Sequence, residues 1–510
     1  MSSAVVSQAI VSQAVVSLDV GTLLPVLAPA VGAAVILITD VAVQHLRRAH
    51  YVIALASLLL GAVATIAGLG TVAAGARQTL CLPGGGQCMY AADAVSSALQ
   101  LAALLGAAVT LLLSWPDDRK ERSGGTAVIV SLVLAATAGA TAVAGARDLG
   151  SWLVALELAT LPTVALVALR GARSAISGAV ALLTTALVSF GLLALAAALW
   201  FTATSSAFLT PEAVLTVIDD PSRRPILVLA VVLVVAGIGF KLSLVPFHAW
   251  TPEAYDGAPL PIAAFLAGVS KIAALAALLV VIRAVAPLGA PVLTSLALVA
   301  AVSMTVGNIM ALRQNGVVRL LAWSTVAQAG WVILPLATLS AAAIRASGAY
   351  LLAYVLATLL AFSVVAALTQ TRGAARARDV TAYGGLVRDH PVLAAALALA
   401  LLSLAGLPPG VLGLVAKVVA LRPVVSSELW LLAVIAAANA VLGVAVYLRW
   451  LRAALAPADL TPHTGPQGAA AVAAPAVRAH PATLVAVGFA AVGLVLTSLS
   501  PQLVLGLFGS

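Results

Sequence analysis

This chain is short of charge. Charged residues make up 8% of its 510 positions, hydrophobic ones 63%, and its mean hydropathy is +1.15. A water-soluble domain carries roughly a quarter charged residues, so this composition excludes one. The chain reads as an all-α polytopic membrane protein. Lipid leaves no water for unpaired backbone groups, and the long unbroken apolar runs do not suit barrel strands. Cysteine is scarcer still. Cys81 and Cys88, in "CLPGGGQC", are the only two, too few to ligate an iron–sulfur cluster. No histidine pair is placed for haem, and no GxGxxG follows a strand. The reading is therefore that this chain binds no cofactor or metal itself. The two cysteines are either a disulfide closing a Gly-rich outer loop or two free thiols. The net charge of +9 comes from scattered basic residues, which membrane topology and anionic headgroups explain; it does not point to nucleic acid.

Apolar runs of about 20 residues suggest about fourteen transmembrane helices. They lie near 22–42, 52–75, 93–114, 126–146, 149–169, 173–203, 225–250, 258–284, 290–312, 317–339, 342–370, 391–421, 428–455 and 482–507. Sixteen of the arginines and Lys120 fall in odd-numbered loops or at their edges, seven in even-numbered ones. The odd loops are then cytoplasmic, both termini face outward, and the cysteine loop lies on the outer side. The first twenty residues lack a basic n-region and do not read as a cleaved signal peptide. Residues 456–481, rich in Pro, Ala and Gly, read as a cytoplasmic linker before the last span.

Lysine is rare as well. Against 22 arginines there are four lysines, and three of them, Lys241, Lys271 and Lys417, sit inside candidate spans. Of 17 acidic residues only Glu157 lies near the middle of a span. A charge at a helix centre costs roughly 2.5–3.5 kcal/mol on insertion scales, so these four must face one another, water or backbone carbonyls. One carboxylate cannot neutralise three ammoniums, which argues against a purely structural ion pair. A buried lysine's proton affinity responds to a moving carboxylate, whereas that of arginine stays too high. The four residues read as a proton path.

Two spans are expected to be discontinuous. Residues 225–250 would reach about 39 Å if straight, beyond a core of about 30 Å, and Pro246 is expected to kink this seventh span near Phe240–Lys241. The twelfth span, 391–421, is interrupted by "AGLPPG", Ala405 to Gly410. The two breaks are five spans apart, so the helices cross in opposite senses, the trace of an inverted repeat. The expected organisation is helices 1–3 over 1–125, a first five-helix repeat over 126–286, an inverted second repeat over 287–455, and a linker with helix 14 over 456–510.

The stretch Gly239 to Leu279, "GFKLSLVPFHAWTPEAYDGAPLPIAAFLAGVSKIAALAALL", resembles the antiporter-like proton-channel subunits of respiratory NADH:quinone oxidoreductase (complex I) and their relatives in multisubunit cation/proton antiporters. The wording "TPEAYDGAP" is most similar to the subunit N branch. The resemblance continues in "ALRQNGVVRLLAWSTVAQAGW", "YLLAYVLATLLAF", "LLSLAGLPPGVLGLVAK" and "NAVLGVAVYLRW", over roughly 130–455. It implies that Glu157 pairs with Lys241, that Lys271 lies on a central axis, and that Lys417 stands at the outlet. His248, in "PFHAW", either takes part in proton uptake or orders the loop between spans 7 and 8. Two positions depart from the family pattern: only Arg319 remains of a usually basic loop, and Gln328 stands where histidine is frequent. The resemblance further implies a multi-pass protein of the bacterial plasma membrane. Its partners would be neighbouring antiporter-like and small membrane-arm subunits and lipids, with NADH, flavin, iron–sulfur clusters and quinone on partner subunits. A cation/proton antiporter subunit is the alternative function.

Overall fold

The computed structural model describes residues 17–42, 47–72, 75–83, 86–115, 125–169, 171–338, 340–457 and 478–508. Lys120 and most of the 456–481 linker, residues 458–477, lie outside these. Among the described residues, thirteen helices are long and apolar enough to cross a membrane.

The principal helices are α1 (Val20–Ala42), α2 (Arg47–Val72), α3 (Ala94–Ser114), α4 (Gly125–Gly145), α5 (Leu149–Leu158), α6 (Leu161–Ala168), α7 (Arg173–Thr204), α8 (Arg224–Leu242) and α9 (Trp250–Gly257). They continue as α10 (Leu260–Ala267), α11 (Val269–Ala284), α12 (Ala290–Leu312), α13 (Val317–Ile333), α14 (Ala341–Arg372), α15 (Pro391–Ala405), α16 (Val411–Ser426), α17 (Trp430–Leu455) and α18 (Pro481–Leu499). Shorter helical turns join some of them. Residues Leu260–Ala284, Val317–Thr338 and Ala341–Arg372 are each 94% buried over their apolar window, whereas α7 and α18 are 33% buried. The first group is therefore the core of the bundle, and the second presents apolar side chains outward, as a lipid-facing or subunit-facing helix does. Helix α14 lies at the centre and packs on α3, α10, α13, α15, α16 and α18.

One element departs from the all-helical expectation. Arg77–Cys81 (β1) and Cys88–Ala92 (β2) form an antiparallel hairpin in which Cys81 and Cys88 are joined by a disulfide. Of the two states open for these cysteines, the structure holds the bonded one. The hairpin leads into Asp93, which caps α3 by accepting from the Ser96 N–H at 2.7 Å and ion-pairs with Arg147 at 3.4 Å and Arg283 at 2.5 Å. Burial pushes the Asp93 carboxyl up, but the two guanidiniums outweigh it and hold the group below the usual carboxylate range.

The expected kink in the seventh span is instead a full stop. Helix α8 ends at Leu242, Ser243 caps it in the left-handed region (φ 68°), and residues 243–249 run irregularly through a cis Val245–Pro246 peptide into α9. Pro246 has no N–H to donate to the ladder and its ring would meet the preceding turn, so the helix cannot continue through it. The twelfth span breaks likewise: α15 ends at Ala405, Gly406 caps it at φ 79°, and Pro408–Pro409 is cis before α16. Two further breaks were not expected. Span 5 divides into α5 and α6 just before Pro162, and span 8 divides at Gly268.

The close return of α16 onto α15 depends on Gly413. A Cβ there would come within 1.8 Å of the Ser403 carbonyl oxygen, so only glycine fits. Gly413→Ala should cost about 1–3 kcal/mol through overpacking, read as a lowered thermal midpoint of the detergent-solubilised protein; an unchanged midpoint would contradict the contact. The Asp93 cluster gives a pH prediction. A carboxylate depressed in the folded state stabilises above its unfolded pKa of about 3.9 and loses that contribution as pH falls through the folded value. Asp93→Asn keeps a capping side chain and removes the charge. The stability gap between wild type and this variant should be full near neutrality and close below about pH 4.

Candidate functional site

Two polar centres lie in the apolar core, each built on a broken helix. At the first, Glu157 sits on the last turn of α5. Lys241 Nζ donates to Glu157 Oε1 at 2.9 Å and to Thr160 Oγ1 at 2.7 Å. Thr160 is available because α5 stops before Pro162, and its hydroxyl turns back to the Leu156 carbonyl at 2.7 Å. Lys241 is 7% exposed and Glu157 16%, so the ion pair lies within the protein, with its carboxylate nearer the edge. A cleft beside it is lined by Thr160, Thr163, Thr185, Ser189 and Ser270.

Lys271, 1% exposed, has no carboxylate partner among the described residues. It donates to the Lys241 carbonyl at 2.8 Å and to Ser243 Oγ at 2.6 Å, and stands 4.7 Å from the Trp250 ring centroid. The break in α8 is the reason that carbonyl is free. Ser243 N–H donates to Phe240 O and Leu244 N–H to Gly239 O, the closure of a left-handed C-cap. The Phe240 carbonyl is shared with Trp250 Nε1 at 2.8 Å. The Lys241 carbonyl, past the last intrahelical donor, faces the ammonium. The negative end of the helix dipole favours a cation there.

The second centre repeats this construction. Gly406 N–H donates to Ser403 O and Leu407 N–H to Leu402 O. The carbonyls of Leu404 and Ala405 are left to accept from Lys417 Nζ at 3.2 and 2.6 Å, and its ammonium stands 5.6 Å from the Trp331 ring. In each centre a lysine is solvated by carbonyls freed at a left-handed cap and by the face of a tryptophan, an arrangement that attracts a cation without an anion.

Of the residues expected on one line, Glu157, Lys241 and Lys271 are brought together through hydrogen bonds, and Lys417 belongs to the other centre. Gln328 organises the space around Lys417. Tyr350 Oη donates to Gln328 Oε1 at 2.5 Å, and Gln328 Nε2 donates to Tyr447 Oη at 2.8 Å and to Leu404 O at 3.4 Å, the carbonyl that also receives Lys417. Ser324 joins Tyr447 at 2.6 Å, and Tyr354 donates to Thr325 at 2.9 Å. Sequence reading missed Thr160, Ser243, Trp250, Trp331 and these tyrosines. Hydroxyls and rings in apolar spans carry no charge signal, and only their pairing with a lysine marks them. His248 lies on the turn between α8 and α9, with its ring 5.2 Å from that of Trp323. Arg319, the remaining basic residue of its loop, pairs with Asp256 at 3.3 Å and Glu253 at 3.8 Å and ties α9 to α13; such exposed pairs contribute about 0–1 kcal/mol.

This helical frame, with lysines buried at two helix breaks, defines an antiporter-like membrane subunit. The family model described as NADH:quinone oxidoreductase/Mrp antiporter, transmembrane, matches residues 146–443. The chain belongs to that family. Curated relatives include NADH-quinone oxidoreductase subunit N of Salinispora tropica, 40% identical over 84% of this chain and 83% of the relative. Another is NADH-quinone oxidoreductase subunit 14 of Thermus thermophilus, 37% identical over 81% of this chain and 87% of the relative. Among solved structures, a chain of respiratory complex I from Thermus thermophilus with bound aureothin matches with TM-score 0.74 and 32% identity, covering 94% of this chain and 98% of that one. A chain of the Mrp complex from Dietzia sp. matches with TM-score 0.81 at 20% identity, over 96% of this chain and 97% of that one, a likeness of fold.

Gln328→Leu should unpair the Tyr350 hydroxyl and leave Tyr447 with Ser324 alone. A buried orphan costs about 1–3 kcal/mol, so the solubilised protein should melt at a clearly lower temperature. An unchanged melting temperature would contradict the network.

Proposed function

We propose that this chain moves protons across the membrane as a membrane-arm subunit of an NADH:quinone oxidoreductase, with the redox chemistry on partner subunits. The observation that carries the reading is the buried Glu157–Lys241 pair, with Lys271 bound to the Lys241 carbonyl. A lysine held by a carboxylate on one side and linked to a second lysine on the other is a switchable proton site. When Glu157 is close, the Lys241 ammonium is stabilised; when the carboxylate shifts or is neutralised, that proton is released to the neighbouring site. Lys271 and Lys417 take it onward, since carbonyls and indole rings support their ammonium form without locking it in an ion pair. Neither needs a resident ion.

In this reading Glu157 receives the electrostatic signal, Lys241 loads, Lys271 relays and Lys417 delivers to the outer side. His248 stands by the uptake side. Residues 126–286 and 287–455 are the two inverted halves, 1–125 carry helices 1–3, and 456–510 carry the linker and helix 14. The chain sits in the bacterial plasma membrane with both termini outward, among other membrane-arm subunits and lipid. The NADH-quinone oxidoreductase relatives at 37–40% identity, one a subunit N and one a subunit 14, favour this function over that of a cation/proton antiporter subunit.

Lys241→Met, tested in membranes holding the assembled complex, should lower proton translocation at least severalfold relative to NADH oxidised. Full translocation with normal assembly would overturn the reading.

A further inference from the structure

Tyr255 is fully buried, yet its hydroxyl has no hydrogen-bond partner among the described residues. A phenol in an apolar core ordinarily finds one. The ring itself is well held, with Trp250 at 6.3 Å and Phe362 at 6.4 Å between centroids, both edge-on. The hydroxyl faces that of Thr325 without closing a full bond. Thr325 in turn accepts from Tyr354 at 2.9 Å and donates to the Leu321 carbonyl at 2.9 Å.

The position of Tyr255 in the fold gives this meaning. Helix α9 starts at the first break, and its Thr251 donates to Ser243 Oγ at 2.6 Å, the hydroxyl that also receives Lys271. Tyr255 is one turn further along α9, on the same face as Thr251. Thr325 and Gln328 are likewise one turn apart on α13, and Tyr350 and Tyr354 one turn apart on α14. The first centre thus ends in hydroxyls on α9 and the second begins in hydroxyls on α13 and α14, with the orphaned phenol between them.

Resting on the proton-translocation reading, we infer that Tyr255 is the proton-handing group that joins the Lys271 centre to the Gln328–Lys417 centre. The Lys271 ammonium gives a proton to Ser243 Oγ, Ser243 turns its own proton to Thr251, and Thr251, its hydroxyl rotated away from Ser243, gives its proton to the Tyr255 oxygen. Tyr255 releases its own phenolic proton to Thr325, and Thr325 and Tyr354, their hydroxyls turned from the Leu321 carbonyl and from Thr325, each hand a proton on toward the neutral amine of Lys417. At each hydroxyl one O–H bond forms as another breaks, so all return neutral, Lys271 is left as the amine and Lys417 becomes the ammonium. A hydroxyl without a structural hydrogen bond suits this role, because one locked in such a bond would first have to be freed.

Tyr255→Phe removes only the oxygen and keeps the ring contacts. In membrane vesicles with the assembled complex, it should lower proton translocation per NADH oxidised at least twofold. With an ionophore collapsing the gradient, the NADH oxidation rate per flavin should be retained, a split that loss of packing alone would not give. Unchanged translocation would overturn the inference. Should Tyr255→Phe fail to assemble, Thr325→Val decides by the same readout: a twofold loss supports the relay, and wild-type coupling overturns it. Lys241→Met run in parallel separates the two levels. If it also translocates normally, the function itself fails; if it is defective while Tyr255→Phe is normal, only the role of Tyr255 fails.

Discussion

Three ammonium groups in an apolar bundle must be solvated by the protein itself, and much of this fold follows from that constraint. A regular helix cannot do it, because its carbonyls are committed to the turn above. Breaking the helix releases them. At Ser243 and again at Gly406 a left-handed cap closes the helix on earlier carbonyls and leaves the last ones open. Lys271 and Lys417 fill those openings. The breaks are thus the solvent shells of the lysines, and the charges hold the broken ends in place.

Lys241 differs from the other two in having a carboxylate partner. Its pair with Glu157 is an electrostatic contact that a change elsewhere can strengthen or weaken. The other lysines rest on neutral dipoles and aromatic faces, whose attraction is smaller and varies less as the surroundings move. In the proposed proton path, one responsive site followed by two tolerant ones suits a device that takes a signal at one end and releases a proton at the other. The helix breaks at Ala159–Thr160 and Gly268 serve the same end: the first lets Thr160 turn to Lys241, and the second lies just before Lys271.

Around the second centre the chain replaces charge with a web of neutral polar groups. Gln328 offers both a donor and an acceptor, so it links two tyrosines and the carbonyl that binds Lys417 without titrating itself. A histidine in its place would add a protonation state to the same web. The web orders Lys417 at no Coulombic cost, and in the proposed relay its hydroxyls hand the proton on.

The sequence by itself determined that the chain lives in lipid, where most of its spans run, and that Glu157, Lys241, Lys271 and Lys417 are out of place there. Charge is so scarce in such a sequence that each exception is visible. It also marked both proline breaks, since proline's missing donor is a local property of the chain. Only the tertiary structure decided how those exceptions are used. It split the four charges into two centres, closed the disulfide, and turned the expected kink at Pro246 into the end of a helix. It also recruited Thr160, Ser243, Trp250, Trp331, Gln328 and Tyr255, neutral residues whose roles come from what stands opposite them. Hydropathy sees a charge in lipid, but a hydroxyl or an indole costs little there, and its meaning exists only once packing has placed it against an ammonium.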